Sequence, residues 1–153
     1  MLLEPARFLP KRLDHSAQQK CPASLRCTAR ANASAWNIDK NKIEEYEILN
    51  CTTVDYPTDL KNQLNNIINY DQRKIKEIDL KFGEFIGLSI NKFLKENKLD
   101  LPDLISSHGH TVFHKPNISK SLQIGDGRTI NKITGVKTVN NFREQDVKLG
   151  GQG

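Results

Sequence analysis

Apolar and polar positions change period several times along this chain, and the changes divide it into elements. From Trp36 to Thr53 the run WNIDKNKIEEYEILNCTT alternates loosely around a polar middle. That pattern predicts two strands joined as a hairpin, with Tyr46, Ile48 and Leu49–Cys51 the best strand positions. Pro57-Thr58 then opens a helix, because Leu60, Leu64, Ile67 and Ile68 fall at i, i+4, i+7 and i+8. A second helix is predicted over about Ile78–Glu96, with Phe82, Phe85, Ile86, Ser89, Ile90, Phe93 and Leu94 along one stripe. Gly83 and Gly87 lie beside that stripe. Each costs ~1 kcal/mol relative to Ala inside a helix, which points to another element packing closely there.

Shorter segments follow. Leu104–Ser107 reads as a strand, as does Ser121–Gly125, which is turned by Gly125-Asp126-Gly127. A short helix comes next, with Ile130 and Ile133 inward and Gly135 as its C-cap. Val136–Phe142 predicts a further strand leading into REQDVKLGGQG. Strands interleaved with helices describe an α/β layered domain with a mixed sheet. Ligands of such sheets sit beyond the carboxyl ends of the strands. The polar motifs SHGHTVFHKP, GDG and REQD all fall just past predicted strand ends, so they converge on one edge.

Composition alters the picture at the front of the chain. The formal net charge is +5, but residues 1–35 contribute +4 of it and the remainder only +1. All seven alanines lie in residues 1–35, which also hold Pro5, Pro10 and Pro22. Arg with few acids suits a transit peptide, yet the prolines interrupt an amphipathic helix. Residues 1–35 are therefore expected to be an unrelated leader, disordered or artefactual, and residues 36–153 the domain proper. The near-neutral body argues against a nucleic-acid surface. No apolar run approaches the roughly 20 residues of a membrane helix. Cys21, Cys27 and Cys51 form no CxxC, which supports neither a disulfide framework nor a cysteine zinc site and makes a reducing, cytoplasmic setting the default.

Three of the chain's four histidines, His108, His110 and His114, fall within seven residues. His108 and His110 are two apart and would share one side of an extended strand. With His114 returning from a turn, they could hold a catalytic zinc with an open position. The plainer reading is a polar strand end with hydrogen-bonded histidines. Asp126 and Asp146 are the acids at strand or loop ends; each could be a general base or an ordinary cap. GDG and GGQG offer backbone N–H groups to a phosphate or sugar, or simply make turns. There is no GxxxxGK[ST], no GxGxxG and no nucleophile elbow. The residues by themselves reach a small-molecule site at the edge of an α/β sheet, and no further.

Taken in order, SHGHTVFHKP, LQIGDG, TG and NNFREQDVKLGGQG resemble the anhydro-N-acetylmuramic acid kinases of bacterial cell-wall recycling. The family pattern is close to S-H-G-Q-T-V-x-H-x-P, L-Q-I-G-D, T-G-[IV]-x-V-V and [DN]-F-R-x-x-D-x-x-x-G-G-Q-G. The resemblance implies a ribonuclease-H-like layered mixed sheet with helices, part of a half-domain in the sugar-kinase, heat-shock-70 and actin superfamily. It implies ATP-dependent ring opening of the 1,6-anhydro sugar with phosphorylation at O6, and Mg²⁺ accompanying ATP. By the same resemblance Asp146 is the base. His108, His110, Thr111, His114, Gln123, Asp126, Arg143, Gly151 and Gln152 are substrate-binding candidates, and no protein metal site is implied. The partner is a small amino sugar, with no nucleic acid and no membrane; a homodimer is left open for full-length relatives.

Two departures qualify the resemblance. His110 stands where the family has Gln. The family's opening phosphate-binding turn, G-x-M-S-G-T-S-x-D-G, is replaced by the leader, and the chain stops at GGQG. The expectation is therefore an N-terminal-half fragment, inactive alone. Alternatives are a sugar-binding module without catalysis and a three-histidine zinc protein.

Overall fold

The first strands form the hairpin that the alternating pattern predicts. β1 (Arg30–Ile38) and β2 (Tyr46–Asp55) pair antiparallel, from Arg30 opposite Asp55 to Ile38 opposite Tyr46, with an irregularity between Ala35 and Trp36. The structure, a computed structural model, describes residues 30–38, 46–115 and 120–151. Residues 1–29, most of the expected leader, and Gln152 lie outside that set. The composition break at residue 35 falls inside β1, where Ala31, Ala33 and Ala35 are half-buried at strand period.

α1 (Thr58–Asn65) buries Leu60 and Leu64. Its face does not extend to Ile68, which is 70% exposed. The chain leaves the helix at Asn66 and makes a 3₁₀ turn over Ile67–Asn69. The tighter winding turns Ile67 in and Ile68 out. α2 (Gln72–Glu96) starts six residues before the predicted Ile78. Asp71 caps it, accepting a hydrogen bond from Lys74 N–H at 2.7 Å, and this satisfies an orphan donor of the first turn. Ile75 is the one apolar residue between Gln72 and Glu77, too little for a helical period to show.

β3 (Ile105–Ser107) is followed by β4 (His110–Lys115) and β5 (Lys120–Ile124), which pair antiparallel. Within the histidine stretch His110–Lys115 form a strand of their own, and His108 and Gly109 make the connection before it. Its Thr-Val-Phe core pairs with Leu122 and Gln123 around an irregularity between Thr111 and Phe113. α3 (Gly127–Thr134) ends at Gly135 in the left-handed conformation, as predicted. β6 (Thr138–Asn140) runs parallel to β3. It is shorter than the predicted strand because Phe142 already begins α4 (Phe142–Lys148).

Among the described residues the strands form three two-stranded sheets rather than one mixed sheet. β3 and β6 span only three residues each, which leaves few backbone groups for further pairing. The α/β class stands, with both parallel and antiparallel pairs.

α2 joins the two halves of the core. Ile78 and Phe82 pack with Leu60, Leu64, Ile67 and Ile124, while Ile86 and Ile90 lie against Ile105, Ile130 and Val136. Tyr56 meets Phe82 edge-on at 5.5 Å between ring centroids, a favourable quadrupole geometry. Gly83 and Gly87 do what their cost implied, since α3 approaches α2 at both. A Cβ on Gly83 would lie 2.8 Å from the Asp126 carbonyl oxygen, and one on Gly87 would lie 3.0 Å from Ile133 Cβ.

Gly83→Ala should therefore lower the melting temperature. Ala gains ~1 kcal/mol of helix propensity, but the added methyl meets backbone that cannot swing away, at a cost of about 1–3 kcal/mol. Thermal denaturation followed by circular dichroism checks this, and an unchanged or raised midpoint would contradict the packing.

Candidate functional site

Three strands end at one place. The residues that follow β3 (His108, Gly109), β5 (Gly125, Asp126) and β6 (Asn141) line a cleft of about 200 Å³, together with Asp79, Gln123, Ile124 and Asn140. Two of the three motifs expected at a carboxyl-end edge, SHGH and GDG, supply lining residues here, whereas none of Arg143–Asp146 does.

The cleft is built by glycines and amides. Gly109 has φ +68°, and a Cβ there would lie 2.2 Å from the Ile124 carbonyl oxygen, so only glycine lets β4 start so close to β5. Gln123 is held at both ends of its amide. Its Nε2 donates to the His108 carbonyl at 2.8 Å, and its Oε1 accepts from Arg143 N–H at 3.3 Å. Gln123 thereby ties the β3–β4 connection to the first turn of α4. The GDG turn is gripped from two sides. Gly125 N–H donates to Asp79 Oδ1 at 2.8 Å, and the Gly125 carbonyl accepts from Asn140 Nδ2 at 3.3 Å.

Of the predicted site residues, His108, Gln123 and Asp126 line the cleft. Asp126 takes the plainer of its two readings. Its Oδ2 accepts from Thr129 N–H and from Thr129 Oγ1, both at 2.8 Å, and caps α3. His110 points away, meeting the Phe82 ring edge-on at 6.2 Å on the α2 side. Thr111 pairs opposite Gln123, and His114 opposite Ser121. His114 Nδ1 and Arg143 Nε are shielded from solvent without a hydrogen-bond partner. The histidines are thus spread over different surroundings, and among the described residues no three His, Cys, Asp or Glu side chains converge as a metal site.

Asp146 lies exposed on α4, one turn after Arg143. The sequence reading puts REQD just past a strand end without assigning it an element; it is helical because Val147 is buried and the helix is stitched along its length. Asn141 Nδ2 donates to Glu144 Oε2 at its start, and Lys148 pairs with Glu144 at 2.7 Å. An Asn three residues before a Glu, with Lys four further on, was the available signal. Gly151 N–H returns to the Asp146 carbonyl at 2.9 Å, and a Cβ on Gly151 would lie 2.1 Å from Asp146 Oδ2. Asp79, Asn140 and Asn141 are the polar cleft residues absent from the candidates named from the sequence. Asp79 sits among the helix's polar positions, and the two asparagines fall at the end of a predicted strand, where the NNFREQD motif is read for its Phe, Arg and Asp.

Comparison with known proteins decides the family. A sequence profile described as Anhydro-N-acetylmuramic acid kinase matches residues 29–153. The chain belongs to the anhydro-N-acetylmuramic acid kinase family. A protein of that name from Sulfurimonas denitrificans is 32% identical over 116 residues, which is 72% of this chain and 32% of the relative. One from Actinobacillus pleuropneumoniae serotype 5b is 36% identical over 110 residues, 67% of this chain and 30% of the relative. A third, from Bacillus cereus, is 33% identical over 117 residues, 70% and 30% respectively. The chain thus spans about a third of the length of the curated relatives it matches.

Charge in this family member's cleft is balanced locally. Burial pushes the Asp126 carboxyl up, but the two Thr129 hydrogen bonds and the Lys76 ammonium outweigh it, and the net shift is down. The hydrogen bond to Asp79 holds the Lys76 ammonium above the usual lysine range, against a smaller opposing effect of burial. Burial lowers the His110 imidazole, so the fold favours its neutral form.

The sign of the His110 shift fixes a pH dependence. A depressed folded value means that stability is full above the ordinary histidine range and falls as pH drops through it. The melting temperature should therefore decline between about pH 7.5 and pH 5.5, and His110→Gln should flatten that slope while folding normally. Equal slopes in the two proteins would contradict the burial of a neutral imidazole.

Proposed function

We propose that this chain carries part of the sugar site of an ATP-dependent anhydro-N-acetylmuramic acid kinase. The observation that carries the reading is the family match over residues 29–153, together with the polar cleft at the carboxyl ends of β3, β5 and β6. On this reading residues 36–153, with the start of β1, belong to an N-terminal half-domain of ribonuclease-H-like type. The element order supports that assignment.

The chemistry assigned to the site is hydrolytic ring opening coupled to phosphoryl transfer. Water bonds to C1 of the sugar, the bond from C1 to O6 breaks, and O6 bonds to the γ-phosphorus as ADP leaves. ATP with Mg²⁺ supplies the phosphoryl group. Asp146 takes the proton of the attacking water, a role suited to a solvent-exposed carboxylate. Arg143 Nε and His114 Nδ1, shielded and unpartnered, have hydrogen-bonding capacity left for sugar oxygens. His108 lines the cleft, and Thr111, Gly151 and Gln152 complete the substrate set by resemblance. No described residues converge as a magnesium site, so none is assigned to the ion. Among the described residues no helix is long and apolar enough to cross a membrane, and a nucleotide-dependent kinase of this kind works in the cytoplasm.

Asp146→Asn tests the reading in the protein expressed from its complete gene, assayed for ADP and sugar 6-phosphate. A general base contributes about 10²–10⁴-fold, so kcat should fall by that much while KM for the sugar stays within about threefold. A variant with a kcat close to that of the unaltered protein would remove Asp146 from the role.

A further inference from the structure

Asp79 has three engagements that no local motif announces. Its Oδ1 accepts from Gly125 N–H at 2.8 Å, its backbone carbonyl accepts from Asp126 N–H at 3.3 Å, and its Oδ2 pairs with Lys76 Nζ at 2.8 Å. Lys76 reaches Asp126 Oδ1 at 3.6 Å as well. One turn further along α2, Gly83 leaves the space into which the Asp126 backbone fits. Lys76, Asp79 and Gly83 stand at i, i+3 and i+7, on one helix face. That face is a shelf under the GDG turn.

The turn is held from the other side by Asn140. Its side chain donates to the Gly125 carbonyl at 3.3 Å and lies where a Cβ on Gly127 would be, 2.8 Å away. Asn140 ends β6, and Asn141, in the left-handed conformation, opens α4. A continuous series of contacts thus runs from the Asp79 carboxylate through Gly125 and Asn140 to the helix that carries Asp146.

We propose that Asp79 is a positioning residue for phosphoryl transfer: its carboxylate fixes the Gly125–Gly127 turn against Asn140 and so sets where α4 presents its residues to the cleft. This rests on the kinase reading above. Asp79 is assigned no proton and no bond to the sugar. It acts through Asn140, so its loss should alter the rate of the bound complex more than the binding of either substrate.

The experiment is a double-mutant cycle in the protein expressed from its complete gene, with Asp79→Ala, Asn140→Ala and the pair. A misplacement of about 1 Å can cost about 10²-fold. Asp79→Ala should lower kcat about 10- to 100-fold, with KM for sugar and for ATP within about threefold. The double variant should be little worse than the poorer single variant, because both residues hold one turn. Asp79→Asn keeps an acceptor oxygen for Gly125 N–H and should recover most of the rate. If the alanine variant does not fold, Asn140→Ala, which releases the same turn from its other side, should show the loss of kcat at unchanged KM, and a kcat equal to that of the unaltered protein would overturn the inference. Multiplying losses in the pair, or a change confined to KM, would overturn the inference, as would an Asp79→Ala variant with the kcat of the unaltered protein. If the unaltered protein itself makes no sugar phosphate, the kinase reading fails and the inference falls with it, an outcome distinct from the others.

Discussion

The close approach of α3 to α2 at Gly83 and Gly87 is the constraint on which the rest of this structure depends. Two glycines in a helix of 25 residues sacrifice about 2 kcal/mol of propensity between them. In return the Asp126 backbone and the Ile133 side chain come within van der Waals contact of the α2 surface. Because α3 sits that close, β5 must end where Asp79 can meet Gly125, and the GDG turn must lie flat on the helix. The ends of β3 and β6 are then brought to the same edge through Ile105, Ile130 and Val136, packed under Ile86 and Ile90. The cleft follows from this packing.

Electrostatics refine that arrangement without creating it. Lys76 bridges Asp79 and Asp126, but its side chain is 61% exposed, and pairs of that kind are worth about 0–1 kcal/mol. The hydrogen bond from Gly125 N–H to the Asp79 carboxylate is different in kind. Asp79 is 18% exposed, and a hydrogen bond to a charged group contributes about 1.5–3 kcal/mol. The backbone-to-carboxylate bond is therefore the clamp, and the lysine neutralises charge around it. Asp126 uses both bonds from Thr129, on Oδ2, to cap α3.

Long-period features of the fold were legible in the sequence, and features set by single polar contacts were not. The stripe from Phe82 to Leu94 and the glycines beside it announced α2 and its close neighbour. Gly135 announced the end of α3. The first turn of α2 carries one apolar residue, Ile75, and its start depends on the Asp71 cap, so the pattern showed no period there. α4 escaped because Val147 is its one buried residue, too little for a period to show. SHGHTVFHKP reads as a polar strand end, and the β-favouring run Thr111-Val112-Phe113 inside it is what starts a new strand. Once paired with β5, that run carries His110 toward Phe82 and leaves His108 at the cleft. Asp126 and Gln123 were identified as site residues from motifs, and the structure gives both of them structural partners. Asp79, from a segment some 46 residues away from the turn it holds, could be found only once α2 and the turn were seen together.

The central claim is that the cleft at the carboxyl ends of β3, β5 and β6 receives the sugar. A ¹⁵N–¹H titration of the chain with 1,6-anhydro-N-acetylmuramic acid tests it most directly. The account predicts shifts concentrated at Gly109, Gln123, Gly125, Asn141 and Asp146, with β1 and β2 unmoved. Shifts centred on the β1–β2 hairpin, with Gly109 and Gly125 unchanged at saturation, would contradict it.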